Sequence, residues 1–335
     1  MAKIKVGING FGRIGRLVAR NIMNEFKDDM ELVAVNDLTD NKTLAHLFKY
    51  DSSQGRFNGD VQAKQGNIVI NGNEIAVSAE RDPENLKWGE LGVDVVVEST
   101  GFFRSGDAAR KHITAGAKKV IISAPAKGSD VKTIVIGVND EEIDADTDIY
   151  SNASCTTNCL APMVKVLDDA FGVIKGQMTT IHGYTGDQAI LDAPHSDLRR
   201  GRAAAVNIVP TTTRAAKAVG LVLPHLDGKL DGGAVRVPVP TGSLTDLTAL
   251  IRKEVTMPEI LDVFKRASAT KMKGVLQYND EEIVSSDIVG NTHSCIFDSG
   301  LTKVDGQMVK IIGWYDNEAG YSARTAQLIK LIMEA

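Results

Sequence analysis

The stretch Gly10-Phe11-Gly12-Arg13-Ile14-Gly15 constrains this chain more than any other among its 335 residues. It follows Ile4–Asn9, a short apolar run that reads as a buried strand, and it opens Ile14–Phe26, whose apolar spacing predicts a helix. Three glycines at this spacing, between strand and helix, suit a dinucleotide. Gly10 permits the tight turn, Gly12 lets the backbone approach a pyrophosphate, and Gly15 lets helix and strand pack closely. The helix N-terminus adds N–H donors and positive potential. A second predicted strand, Leu32–Asn36, ends at Asp37, where such a fingerprint expects an acid. Its carboxylate suits the adenosine ribose hydroxyls and repels a 2′-phosphate, so NAD is expected over NADP. The alternative for Asp37 is to cap the following helix.

The next strands, Val93–Val97, Val120–Ser123 and Thr133–Val138, are apolar on both faces. Such runs belong to a largely parallel sheet covered on both sides. Ile68–Ile70 and Glu74–Ser78, joined through Asn71-Gly72-Asn73, predict an inserted hairpin. After about residue 150 the strands lengthen and helices thin out. Gly176–Tyr184, Gly233–Val239, Ile283–Val289 and Met308–Trp314 predict a second domain with a mixed or antiparallel sheet, and Ala319–Met333 has a helical period. A chain of this length exceeds what one core usually supports, which also argues for two domains.

Ser151-Asn152-Ala153-Ser154-Cys155-Thr156-Thr157-Asn158-Cys159 precedes an apolar run, Leu160–Leu167, with helical spacing. Cys155 is thereby expected at a helix N-terminus, where the dipole and free N–H groups favour thiolate. Cys159, one turn on, reads as packing. Of the six histidines, His182 ends a predicted strand on the face opposite Ile181 and is the preferred base for a nucleophilic cysteine. Arg199, Arg200 and Arg202 form the densest basic cluster, either an anion site or a surface, and Arg236 lies between valines in a strand. No zinc-ligand spacing links histidines to cysteines, so no metal is expected.

The net charge of −5 argues against nucleic acid as the main partner. The sequence shows no apolar run long enough for a membrane and no leader pattern, so no membrane partner is expected. Three cysteines, an odd count, suit a reducing cytoplasm.

Taken together, Gly7-Ile8-Asn9-Gly10-Phe11-Gly12-Arg13-Ile14-Gly15-Arg16, Ser154-Cys155-Thr156-Thr157-Asn158-Cys159 and Trp314-Tyr315-Asp316-Asn317-Glu318 closely resemble the phosphorylating glyceraldehyde-3-phosphate dehydrogenase family over essentially the whole chain. The resemblance implies an α/β Rossmann dinucleotide-binding domain over residues 1–154, with the C-terminal helix 319–335 packing back onto it. It also implies an α+β catalytic domain over 155–318 with a mixed, largely antiparallel sheet, and a homotetramer. Carried over residue by residue, Cys155 matches the nucleophile and His182 its base. Arg13, Ile14, Asp37, Arg81, Ser123 and Asn317 match cofactor contacts, and Tyr321 a position near the nicotinamide. Ser154, Thr156 and Thr213 match positions around inorganic phosphate, and Thr185, Arg200 and Arg236 match substrate or phosphate contacts. The stretch 183–202 resembles a loop reaching towards a neighbouring subunit. Two positions depart from the family pattern. Arg214 stands where the family usually has a glycine whose N–H helps hold phosphate; that N–H survives provided the backbone needs no positive φ. Ala193 stands where a bulkier leucine is common, which loosens the exclusion of NADP.

The implied chemistry is glycolytic oxidation and phosphorylation of D-glyceraldehyde 3-phosphate to 1,3-bisphosphoglycerate, through a Cys155 hemithioacetal and thioester. The alternatives are an erythrose-4-phosphate dehydrogenase, which shares the architecture but hydrolyses its thioester, and a protein that uses Cys155 for redox sensing.

Overall fold

A computed structural model describes residues 2–335; Met1, where the expected first domain begins, lies outside the described residues. In chain order the first half contains β1 (Ile4–Asn9), α1 (Arg13–Asn24), β2 (Met30–Asn36), α2 (Asn41–Lys49), β3 (Val61–Lys64), β4 (Asn67–Ile70), β5 (Asn73–Ser78), β6 (Val95–Glu98), α3 (Gly106–Thr114), β7 (Lys119–Ile122), β8 (Lys132–Thr133) and β9 (Ile149–Ser151). The second half contains α4 (Cys155–Phe171), β10 (Val173–Gly183), β11 (Val209–Thr212), α5 (Val219–Val222), β12 (Leu230–Val237), β13 (Ser243–Ile251), α6 (Met257–Ala269), β14 (Leu276–Asn279), β15 (Cys295–Asp305), β16 (Met308–Tyr315) and α7 (Ala319–Glu334). By its contacts the chain divides into two compact units. One holds residues up to Ile134, Glu141–Ala153 and Ser322–Ala335; the other holds Val135–Asp140 and Ser154–Tyr321.

The first unit is a doubly wound sheet in the order β3-β4-β5-β2-β1-β6-β7-β9-β8. The strands from β5 to β8 in that order run parallel, and β3, β4 and β5 pair antiparallel. From β1 the chain winds outward to β2, then returns to the other side of β1 as β6. This reversal creates a crevice at the carboxyl ends of β1 and β6, the place where open α/β sheets bind ligands. Val6, Ile8, Val95, Val96 and Val97 are fully buried, as strands covered on both faces require. The Asn71-Gly72 turn has φ of 50° and 84°, the positive pair that a two-residue hairpin needs.

The second unit is a seven-stranded mixed sheet, β11-β12-β10-β13-β16-β15-β14. β10–β12 and β14–β15 are parallel; the other pairings are antiparallel. Leu160, Met163, Val164 and Leu167 of α4 are buried in this unit, with Cys159 among them donating to the Gly313 carbonyl at 3.5 Å. Gly313 is required there, since a Cβ would meet the sulfurs of Met163, Cys295 and Cys159 at 2.6, 2.8 and 3.1 Å.

Two expected strands are absent. In Thr133–Val138 only Thr133 is in a strand; Gly137 at φ 84° turns the chain, and the Asn139 and Asp140 side chains accept from the N–H groups of Val135 and Gly137. Ile283–Val289 is a run of turns, in which Asp287 accepts from the Val284 N–H and donates its own N–H back to the Val284 carbonyl. Both are cases of Asn or Asp side chains offering the backbone partners that a strand would supply.

Candidate active site

The glycine loop shows why each glycine is needed. Gly10 has φ 89°, and a Cβ there would lie 2.7 Å from the Thr100 nitrogen. A Cβ on Gly15 would lie 2.2 Å from the Gly10 carbonyl oxygen. These two glycines serve the protein's own packing. Gly12 differs: a Cβ there meets no protein atom within 4 Å, and its backbone is in the ordinary extended region. Gly12 therefore faces open space at the N-terminus of α1, a cradle that a side chain would fill. It borders a cleft of about 480 Å³ lined by Asn9, Gly10, Gly12, Asn36, Asp37, Leu38, Glu80, Arg81, Ser99, Thr100, Phe102 and Phe103. These residues suit a dinucleotide at the helix N-terminus.

Asp37 accepts hydrogen bonds from the Phe11 and Thr39 N–H groups at 2.9 and 3.0 Å. The cap of α2 is Asp40, which accepts from the Thr43 N–H at 2.9 Å, so the capping alternative for Asp37 does not hold. Arg81 lines the cleft. Ser123 follows β7 at the same edge of the sheet, and its N–H donates to the Glu98 carbonyl. Arg13 and Ile14 open α1, and the Arg13 guanidinium pairs with Asp51 at 3.1 Å.

In the second unit Cys155 is the first residue of α4. Ala153, at φ 53°, turns the chain, and Ser154 caps the helix by accepting from the Thr157 N–H at 3.0 Å. The Cys155 Sγ lies 3.5 Å from Nε2 of His182, near the end of β10. The register of β10 with β12 pairs His182 with Arg236, whose Nη1 is 2.8 Å from His182 Nδ1 and donates to the Gly183 carbonyl at 3.1 Å. His182 Nδ1 is itself 2.7 Å from that carbonyl. The Gly183 carbonyl needs a proton on Nδ1, whereas Arg236 Nη1, a donor only, needs a lone pair there; in the tautomer that donates to Gly183, the Nε2 lone pair faces the sulfur.

Burial and the Arg236 charge push His182 down to about 3, so the ring is a neutral acceptor. Burial pushes the Cys155 thiol up, although Arg236 and the hydrogen bonds of the α4 N-terminus act the other way. Desolvation thus opposes, at Cys155, the thiolate that the helix N-terminus and Arg236 favour. His182 is placed to take the proton as the sulfur attacks. An Arg236→Leu variant, lacking the cation that favours the anionic sulfur, should be alkylated by iodoacetamide about 3- to 10-fold more slowly at neutral pH. An unchanged rate in a folded variant would rule out this role.

Tyr315, buried under the His182 ring, holds the Thr156 and Thr180 hydroxyls at 2.8 Å each. The Arg236 Nε, buried, has no protein partner, which leaves a donor for an anion. Arg200 is tied down more firmly than expected. Its Nη1, Nε and Nη2 donate to Asp187, the Thr211 hydroxyl and the Thr212 carbonyl at 2.7, 2.9 and 3.2 Å. Thr185 donates its N–H to Gln188, and the Thr213 hydroxyl accepts from the Ala215 N–H. Arg214 is exposed and is not in the positive-φ region, so it carries no strain where the family usually has glycine. Asn317 and Tyr321 are buried around the start of α7. Ser243 escaped the sequence reading. Its hydroxyl accepts from the Gly183 N–H at 3.1 Å and donates to Asn317 Oδ1 at 2.8 Å, which turns the Asn317 Nδ2 donors away from Ser243.

Two family models match the chain: "Glyceraldehyde 3-phosphate dehydrogenase, NAD binding domain" over residues 4–106 and "Glyceraldehyde 3-phosphate dehydrogenase, C-terminal domain" over 154–317. The chain is 57% identical over 334 residues to a glyceraldehyde-3-phosphate dehydrogenase of Mycobacterium avium, covering 98% of both chains. To that of Geobacillus stearothermophilus it is 58% identical over 331 residues, again covering 98% of both. To that of Clostridium pasteurianum it is 58% identical over 334 residues, covering 98% of this chain and 97% of the relative. With similarity at this level along nearly its full length, the chain belongs to the glyceraldehyde-3-phosphate dehydrogenase family.

Proposed function

We propose that the chain oxidises and phosphorylates D-glyceraldehyde 3-phosphate to 1,3-bisphosphoglycerate, with Cys155 as nucleophile and His182 as its base. The contact between Cys155 Sγ and His182 Nε2 at 3.5 Å carries the assignment of roles. His182 accepts the thiol proton as sulfur bonds to the aldehyde carbon, giving a hemithioacetal. The N–H groups at the start of α4 and the protonated imidazole face the oxygen that gains charge. Arg236, with its unpaired Nε, binds a phosphate oxyanion of the substrate, and Thr185 and Arg200 assist. Ser154, Thr156, Thr213 and the Arg214 N–H form the site from which inorganic phosphate attacks the thioester, returning the Cys155 sulfur.

NAD, when bound, supplies the hydride acceptor that makes the step an oxidation. Gly12, Arg13, Ile14, Asp37, Arg81 and Ser123 would hold it in the first unit, on the turn that Gly10 and Gly15 permit, and Asn317 and Tyr321 are assigned to its nicotinamide end. We assign the first unit, with most of α7, to the cofactor and the second unit to the chemistry.

We also infer a homotetramer. Ile190, Leu191, Leu198, Val206 and Ile208, in the stretch between β10 and β11, are 70–84% exposed, more apolar surface than a free loop usually carries. A cytoplasmic location fits the three free cysteines, and no helix among the described residues is long and apolar enough to cross a membrane.

The test is NAD reduction with glyceraldehyde 3-phosphate, with and without inorganic phosphate. Sustained turnover is expected only with phosphate. Equal rates in its absence would instead indicate the hydrolytic alternative.

A further inference from the structure

The last residues of three adjacent parallel strands form a buried polar row beneath the cleft. Asn36 of β2, Asn9 of β1 and Glu98 of β6 are in register and no more than 4% exposed. The polarity of this row is dictated from both ends. At one end the Glu80 backbone N–H, which can only donate, bonds to Asn36 Oδ1 at 2.8 Å, as does the Ser78 hydroxyl at 2.9 Å. Asn36 must then present Nδ2, which donates to Asn9 Oδ1 at 2.7 Å, and Asn9 presents Nδ2 to Glu98 Oε2 at 2.6 Å. At the other end the Trp88 indole N–H, also donor only, bonds to His112 Nδ1 at 3.1 Å. The His112 ring proton therefore sits on Nε2 and is donated to Glu98 Oε2 at 2.9 Å. Both chains of donors converge on Glu98. Its second oxygen accepts the Thr100 N–H at 2.8 Å and the Thr100 hydroxyl. The Thr100 hydroxyl in turn accepts from the Phe102 N–H at 3.1 Å.

Asn9, Asn36, Thr100 and Phe102 all line the cleft. Glu98 itself is buried and is absent from the lining. We propose that Glu98, anchored by His112 and Trp88, is a positioning residue that fixes the floor and the Thr100 loop of the cleft in the shape that accepts the dinucleotide. The proposal rests on reading this cleft as the NAD site. Only an acceptor-only group fits at 98. A glutamine there aims its NH2 either at the Asn9 NH2 and the His112 N–H or at the Thr100 N–H, because Asn9 cannot flip without breaking its bond from Asn36.

The test measures NAD affinity by calorimetry, together with the kcat, the KM for NAD and the KM for glyceraldehyde 3-phosphate. Glu98→Gln should raise the Kd and KM for NAD about 10- to 100-fold, the effect of leaving a buried donor unpaired. The kcat at saturating NAD and the aldehyde KM should change less than about two-fold, since no reacting group is touched. His112→Leu should weaken NAD in the same way. His112→Gln, which can donate to Glu98 and accept from Trp88 at once, should restore it to within about three-fold. If Glu98→Gln does not fold, the His112 pair decides. Unchanged NAD affinity in folded Glu98→Gln or His112→Leu, a parallel fall in every constant, or His112→Gln no better than His112→Leu would each overturn the proposal. Gly12→Val is the separate control. It fills the cleft without touching the row, so if it keeps NAD affinity the reading of the cleft itself is at fault.

Discussion

A Cys155→Ala variant is expected to lose turnover by about 10⁴-fold or more, while its NAD affinity and melting temperature stay near those of the parent. The loss is large because the proposed route has no covalent intermediate without the sulfur; phosphate then has no thioester to attack. Stability holds because Cys155 is only partly buried, unlike Cys159 and Cys295, and its bond to His182 is long. Cys155→Ser should be nearly as inactive. A hydroxyl can hydrogen-bond His182, but it is far less readily ionised than a thiol. Steady-state NADH production, with calorimetric NAD binding and a thermal melt on the same preparations, separates these effects. Activity above about one hundredth of the parent in either variant would exclude Cys155 as the nucleophile.

Gly12→Val should abolish measurable NAD binding, a loss of about 100-fold or more, roughly 3 kcal/mol, in a protein that folds as well as its parent. The added methyl groups enter space that the protein does not fill, and the backbone there tolerates a side chain. Gly15→Val makes the opposite case. Its Cβ would sit 2.2 Å from the Gly10 carbonyl, so helix and strand must separate and the fold itself should lose about 3 kcal/mol or more. The two variants break one motif by different physics, one through the ligand and one through the core. Thermal melts of both, with NAD titrations of any folded material, test the distinction. A Gly12→Val protein that melts much earlier than its parent would show that this glycine serves packing instead.

The glycine loop was the most legible part of the sequence. β1 spans Ile4–Asn9 as expected, because fully buried parallel strands are apolar throughout and the glycines punctuate their ends. The Asn71-Gly72 hairpin was equally plain, since few residues adopt the backbone it needs. β13 was not recognised. Its inward residues are Ser243, Thr245, Leu247, Ala249 and Ile251, while Leu244 and Leu250 face the other, half-buried side, so polarity does not alternate with burial. Ser243 points inward because it bridges Gly183 and Asn317, whereas the buried Thr245 hydroxyl has no protein partner. Within the site, Cys155 and His182 could be chosen singly, but their pairing with Arg236 depends on strand register across 54 residues of chain. The Asn36–Asn9–Glu98 row had a signal that was missed, one polar residue closing each of three apolar strands.

The first unit is sewn from both ends of the chain. Ser322–Ala335 belongs to it, with Leu328, Ile329 and Ile332 buried, Thr325 accepting from Asn152 and Lys330 paired with Asp29. During synthesis this unit therefore waits, unfinished, while the whole of the other one leaves the ribosome. At ordinary elongation rates the delay is roughly ten to thirty seconds. For that interval the surface that receives the last helix is exposed in the nascent chain, so the half made first is the half completed last, and it is there that a chaperone would be most needed.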